Sequence, residues 1–252
     1  RYDGGHGMIF TDTSGQMYLS IHSPNSQNLG RLEKPVFVPL REENDTLVID
    51  KPSGFLSEAS ETAPSVVNAL LSHGKDGFLS PITRLDREVS GVMLLAKHKK
   101  SAAYYTALLA DRDLFKKEYL AVAKGSMEEK QGELCDLLFK DSSKNKSYVV
   151  SRMRRGVKEA SLSYRMLAEK EIEGMPLSLV HIVLHTGRTH QLRVHCAHVG
   201  HPSLGDPQYG SAASFAYSQR MGLTHQQLCA KRLEFIHPVT GQEMCLESRL
   251  DV

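Results

Sequence analysis

An α+β domain on a mixed, mainly antiparallel sheet with flanking helices is what this sequence predicts. Strand-length apolar runs outnumber helical ones, and the helical stretches are short and bounded by proline or glycine. Val92–Ala96 is an unbroken apolar run, suited to a strand buried on both faces.

The elements follow in chain order. Residues 7–21 read as a hairpin, two apolar runs around a Thr13-Ser14-Gly15 turn, and a polar linker follows at Ser23–Asn28. Thr46–Ile49 is a short strand that ends at the turn sequence Lys51-Pro52-Ser53-Gly54. Pro64–Leu71 reads as a helix, with Pro64 in its first turn and Gly74 past its end. After the strand at 92–96, residues 101–111 form a helix and Tyr119–Ala123 a strand closed by Gly125. Further strands are expected at Leu162–Leu167, Leu177–His185, Arg232–Ile236 and Met244–Glu247. A helix from His190 to Val199 is stopped by Gly200 and Pro202. Leu192, Cys196 and Val199 recur at helical spacing and should face the core, whereas Arg193 need not be buried with them.

The 252 residues suffice for one good-sized core, or for one domain with an appendage. Net charge is only +2, so a nucleic-acid partner has to be argued from where charge lies. The four cysteines, at 135, 196, 229 and 245, form no C-x-x-C pair, which fits a reducing compartment. No apolar run is long enough to span a bilayer and no signal-peptide pattern is present, so the expected location is the cytoplasm. Residue 1 is Arg, which suggests a trimmed or partial chain.

Four segments carry chemistry. In Thr83-Arg84-Leu85-Asp86-Arg87, an acid sits between two arginines at the mouth of the buried strand. Adjacent cations favour the charged carboxylate as nucleophile or base, although a surface ion cluster gives the same pattern. In His185–His195 a strand ends, Gly187 permits a turn and a helix begins; free amides there, beside Arg188, would favour phosphate. The histidines at 185, 190, 195, 198 and 201 lack zincin spacing and read as partly exposed, hydrogen-bonding or RNA-facing groups, with no metal expected. Tyr119, following Lys116 and Lys117, either stacks on a base or packs as a sheet aromatic. Finally, Lys140, Lys144, Lys146, Arg152, Arg154, Arg155 and Lys158 are opposed only by Asp141, a concentration suited to a phosphate backbone or to a solvated loop.

Taken together, these segments resemble the RluA-type pseudouridine synthases. The likeness runs from about residue 44 to the end. It rests on Asp50–Gly54, Arg84-Leu85-Asp86 with Ser90-Gly91, Lys117–Ala121, Gly187–His195, Gly200-His201-Pro202 with Gly205-Asp206, and His237–Gly241. It implies the pseudouridine synthase fold with a central RNA-binding cleft, and isomerisation of uridines in structured ribosomal or transfer RNA. Asp86 would be the catalytic carboxylate, Tyr119 the active-site tyrosine and Arg193 the partner of the Asp. Arg84, Lys117, Arg188, His190, Arg152, Arg154, Arg155 and Lys158 would contact RNA. No redox or phosphoryl step occurs, so no cofactor is expected; the working unit would be a monomer without an S4 domain.

The sequence departs from that family at Thr83, where His is usual, at Val89, where Thr is usual, and at Leu228-Cys229-Ala230, where Leu-His-Ala is frequent. Thr83 and Val89 raise the alternative of a catalytically impaired RNA-binding protein. Residues 1–40 stand apart as an N-terminal hairpin appendage, with 44–252 as the catalytic domain. Asp3–Phe10 with Leu19–Asn25 resembles the closing blade of family-43-type glycosidase propellers, which would make it a remnant or fusion. A native hairpin packed on the main domain is the competing reading. A glycosidase needs two carboxylates across a cleft, and this opening offers only Asp3 and Asp12.

Overall fold

A computed structural model describes residues 8–11, 13–22, 35–42, 45–72, 77–111, 113–238 and 240–252. The expected Gly74 helix stop and the Ser23–Asn28 linker lie outside these residues. The described residues start with a hairpin of β1 (Met8–Thr11) and β2 (Met17–His22), followed by β3 (Pro35–Glu42) and β4 (Thr46–Lys51). Helix α1 (Val66–Ser72), the two-residue β5 (Ser80–Pro81), β6 (Ser90–Ala96) and α2 (Lys99–Leu108) come next. A second run holds β7 (Phe115–Lys124), β8 (Gln131–Asp141), β9 (Lys146–Val150), β10 (Val157–Ile172) and β11 (Met175–Leu184). Helices α3 (Gln191–His198) and α4 (Ala212–Arg220), then β12 (Leu228–Ile236) and β13 (Glu243–Glu247), complete it.

One sheet runs in the order β1-β2-β3-β4-β6-β12-β7-β11-β10-β8-β9, with β13 beside β12 and β5 beside β6. The pairs are antiparallel except β6 with β12, so the sheet is mixed and mainly antiparallel as predicted. That parallel pairing spans only Ser90 with Cys229 and Gly91 with Ala230. Gly91 has φ of 120°, and a Cβ there would lie 2.3 Å from the Ala230 carbonyl oxygen, so only glycine allows the approach.

Strand β6 is buried on both faces. Met93 and Leu95 join Leu47, Ile49 and the α1 residues Val66, Val67 and Leu70 on one side. Val92, Leu94 and Ala96 meet Tyr105 of α2 and Phe115, Leu233 and Phe235 on the other. Each fully buried side chain of this size contributes roughly 1.5–3 kcal/mol of hydrophobic transfer.

The N-terminal hairpin extends this sheet. Strand β3 pairs with β2 on one edge and β4 on the other, and Leu19 is buried beside Val38, Leu40 and Leu47. The boundary expected at residue 40 therefore falls inside a strand. The basic stretch 140–158 is not one loop either, because it holds the end of β8, its hairpin turn, β9 and the start of β10.

Helix α3 corrects the expectation of a single core-facing stripe. Gln191, Leu192, Arg193, Val194 and His195 are all buried, and Val199 is 38% exposed. The helix is clamped on two sides, Leu192 in the cluster around Tyr119 and Val194 against Leu138 and Ala160, so a single apolar stripe does not describe it.

Candidate active site

A cleft of about 870 Å³ opens where loop 82–89, strand β7 and the start of α3 converge. Asp86 lies on that loop, Lys117 and Tyr119 come from β7, and Arg188, His190 and Arg193 come from the turn into α3.

The loop carrying Asp86 is braced from segment 51–57. The Ser57 hydroxyl accepts the Leu85 N–H at 2.9 Å and donates to the Leu85 carbonyl at 2.7 Å. The Gly54 N–H donates to the Arg87 carbonyl at 2.8 Å, and Ser53 Oγ to the Glu88 carbonyl at 2.8 Å. Lys51 is fully buried, and its ammonium donates to the carbonyls of Pro52, Phe55 and Arg87 at 2.9, 2.9 and 3.1 Å. Burial pulls its pKa down to about 7, against the raising influence of Glu88 and Asp86. Thr83 is also structural: its buried hydroxyl accepts the Leu94 N–H at 3.0 Å, tying the loop to β6.

Asp86 is partly open, its side chain 29% exposed, and it faces Arg193, whose Nη1 donates to Oδ2 at 3.1 Å. Arg193 is only 7% exposed, and its charge tolerates that burial because it is doubly matched. Its Nε and Nη2 donate to Asp206 Oδ2 and Oδ1, both at 2.8 Å, a bidentate pair. Asp206 also accepts the N–H groups of Gln208 and Tyr209 and the amide of Gln226, at 2.9–3.0 Å. These donors hold its carboxyl below the usual range despite burial, and the two carboxylates hold Arg193 above its own.

Around this pair, His190 Nε2 lies 4.0 Å from Asp86 Oδ1, and burial lowers its pKa against the opposing pull of Asp86. Tyr119 is buried, and desolvation, then Asp86 and Cys229, push its hydroxyl well above the usual phenol range. Lys117 is lowered by burial and by Arg188, and no carboxylate pairs with it among the described residues. Arg188 is anchored through Nε on the Glu159 carbonyl at 2.9 Å, and Arg84 pairs with Glu58 at 3.1 Å on the exposed rim.

The expected free amides at the start of α3 are partly taken. The Arg188 N–H donates to Gln191 Oε1 at 3.0 Å, which also accepts from Thr186 Oγ1 at 2.7 Å. Arg152, Arg154, Arg155 and Lys158 are exposed and do not line the cleft. Among the five clustered histidines only His190 lines it; His195 is fully buried, not partly exposed, and His201 meets the Lys124 carbonyl at 3.0 Å. No group of three or more potential metal ligands is assembled among the described residues, and no described helix is long and apolar enough to cross a membrane.

Sequence reasoning missed the roles of Asp206, Tyr209, Gln191 and Lys51. Asp206 and Lys51 stood only within quoted motifs, and Tyr209 gave no signal at all.

Comparison with known proteins gives the family. The pattern shared by RNA pseudouridylate synthases matches residues 45–198. An Aquifex aeolicus protein named as an uncharacterized RNA pseudouridine synthase is 33% identical over 241 residues, covering 90% of this chain and 74% of its own. Ribosomal large subunit pseudouridine synthase D of Zymomonas mobilis is 32% identical over 232 residues, covering 86% and 71%. The fold matches that of Human RNA Pseudouridylate Synthase Domain Containing 1 with a TM-score of 0.68 at 24% identity, over 83% of this chain and 82% of that one. The likeness of the opening residues to a glycosidase blade finds no support in these comparisons.

Proposed function

The chain belongs to the RNA pseudouridylate synthase family and isomerises uridines in RNA, and from that premise we propose that Asp86 is its catalytic carboxylate, with Tyr119 and Arg193 beside it. The observation that carries this reading is the Asp86–Arg193–Asp206 chain in the cleft, where one carboxylate is open to solvent and the other buried. The reaction breaks the bond between C1′ and N1, turns the uracil, forms a bond between C1′ and C5, and balances loss of the C5 proton by protonation of N1. Attack on C1′ and removal of the C2′ proton both start from a charged carboxylate, which Arg193 orients. Flipping the uridine out of its stack costs a few kcal/mol, and the Tyr119 ring is the platform that offsets part of it. Its hydroxyl, held protonated by burial, can relay a proton.

Arg84, Lys117, Arg188 and His190 line the cleft and are assigned to the RNA strand entering it. Arg152, Arg154, Arg155 and Lys158 lie on and just after the loop that follows β9, and are assigned to more distant phosphates. The RluA-type grouping rests on the motifs around Asp86 and in Gly187–His195. Ribosomal RNA is the favoured substrate, because relatives carry the name ribosomal large subunit pseudouridine synthase; transfer RNA is the other outcome of the test. Residues 44–252 are taken as the catalytic unit, working as a cytoplasmic monomer, which light scattering and cell fractionation would check.

The test is tritium release from C5-labelled uridine in ribosomal and transfer RNA. Asp86→Asn should abolish release while RNA affinity stays within about threefold, since phosphate contacts carry affinity. Persistent release by that variant removes Asp86 from the role. Undiminished binding with no release by the native chain would favour the impaired RNA-binding alternative.

A further inference from the structure

We propose that Tyr209 is a positioning residue that donates its hydroxyl proton to Nδ1 of His190 and so turns a protonated Nε2 toward Asp86. The inference rests on the reading of Asp86 as the catalytic carboxylate.

Tyr209 is fixed from several sides. Its backbone N–H donates to Asp206 Oδ1 at 3.0 Å, and its ring centroid lies 4.9 Å from the Arg193 guanidinium and 5.0 Å from the Lys146 ammonium. The hydroxyl oxygen accepts the Ser147 N–H at 2.7 Å and lies 2.9 Å from His190 Nδ1. With the Ser147 N–H directed at the oxygen, the hydroxyl proton needs an acceptor, and His190 Nδ1 is the acceptor in reach among the described residues.

The other side of the imidazole gives the same answer. His190 Nε2 stands 4.0 Å from Asp86 Oδ1. A bare nitrogen lone pair facing a carboxylate repels it, whereas an N–H attracts it. Burial lowers the pKa of the ring against the pull of Asp86 and Asp206, which favours the singly protonated form, and one tautomer of that form satisfies both neighbours. The backbone holds the ring there in a left-handed conformation, φ 55°, at the N-cap of α3. Asp86 is therefore oriented on Oδ2 by Arg193 and on Oδ1 by His190, and Tyr209 touches both of these groups.

The experiment uses the full chain labelled with ¹⁵N-histidine and long-range ¹H–¹⁵N spectra at neutral pH. The expected result is a His190 signal with protonated Nε2 and bare Nδ1, and a loss of that single tautomer in Tyr209→Phe. Turnover of Tyr209→Phe should fall about tenfold or more, with KM within about twofold, as expected for a displaced catalytic group in an intact binding cleft. Protonated Nδ1 in the native chain overturns the proposal, and this readout stands even if Tyr209→Phe does not fold. Unchanged turnover in a folded Tyr209→Phe, or a loss confined to KM, overturns it equally. The tautomer is read without activity, so failure of the Asp86 assignment shows separately, as tritium release by Asp86→Asn.

Discussion

Arg193 gives two of its hydrogen bonds, each 2.8 Å, to Asp206 and one, of 3.1 Å, to Asp86. The guanidinium is thus seated by the buried carboxylate and presented to the open one. Two of its three bonds are independent of Asp86, the kind of support that preorganisation requires.

Replacing Arg193 by Lys keeps a charge but cannot reproduce two bonds to Asp206 and a third to Asp86. We expect Arg193→Lys to fold and to lose about a hundredfold in turnover, because misplacement of this order is costly in a preorganised site. Single-turnover tritium release, against an exposed arginine such as Arg155→Lys as control, checks it.

Asp206→Asn leaves the buried guanidinium without its principal counter-charge and turns an amide toward donors. The expected cost is about 3–5 kcal/mol of stability, as for other broken buried pairs. Urea denaturation measures it, and a loss within experimental error would mean that Asp86 alone neutralises Arg193.

Lys51 makes stability depend on pH. Its folded value near 7 lies below the ordinary 10.5, so between them the unfolded chain holds one more proton than the folded one. Stability therefore rises with pH across that window, and below it the buried ammonium imposes its full desolvation cost. The unfolding free energy of the native chain relative to Lys51→Met should move in the native chain's favour from about pH 6.5 to about pH 9. A flat difference would show that the ammonium stays charged throughout.

Thr83→Val removes only the acceptor for the Leu94 N–H. The expected loss is about 1–3 kcal/mol for the orphaned donor, with turnover within about twofold of native once the fold is intact. Thermal unfolding and tritium release together test whether the Thr at this position serves β6 rather than the nucleotide.

Legibility in the sequence follows locality. Strands β4, β6, β7 and β11 were readable because each is a dense apolar run, and α3 because Gly200 and Pro202 stop it. Strands β8 and β9 were not, since their polar residues alternate with partly buried ones, and the pair joins the sheet only where β8 meets β10. Helix α4 carries a Ser211 cap that accepts the Ser214 N–H, a signal present but masked by a composition of Ala, Ser and Gln. At the site, Asp86, Tyr119 and Arg193 were legible through their motifs. Tyr209 and Asp206 act only after residues 204–210 fold back over α3, a relation that no local pattern encodes.

Strand β12, formed near the end of the chain, lies between β6 and β7, which are neighbours in sequence but do not pair. Gly91 lets β12 approach β6 closely enough for the two residue pairs that join them. The carboxylate belongs to one side of that junction and the guanidinium to the other, 107 positions apart. The one strand paired to both β6 and β7 thus keeps the carboxylate and the guanidinium in a common frame, so the geometry of the pair rests on a junction that neither residue touches.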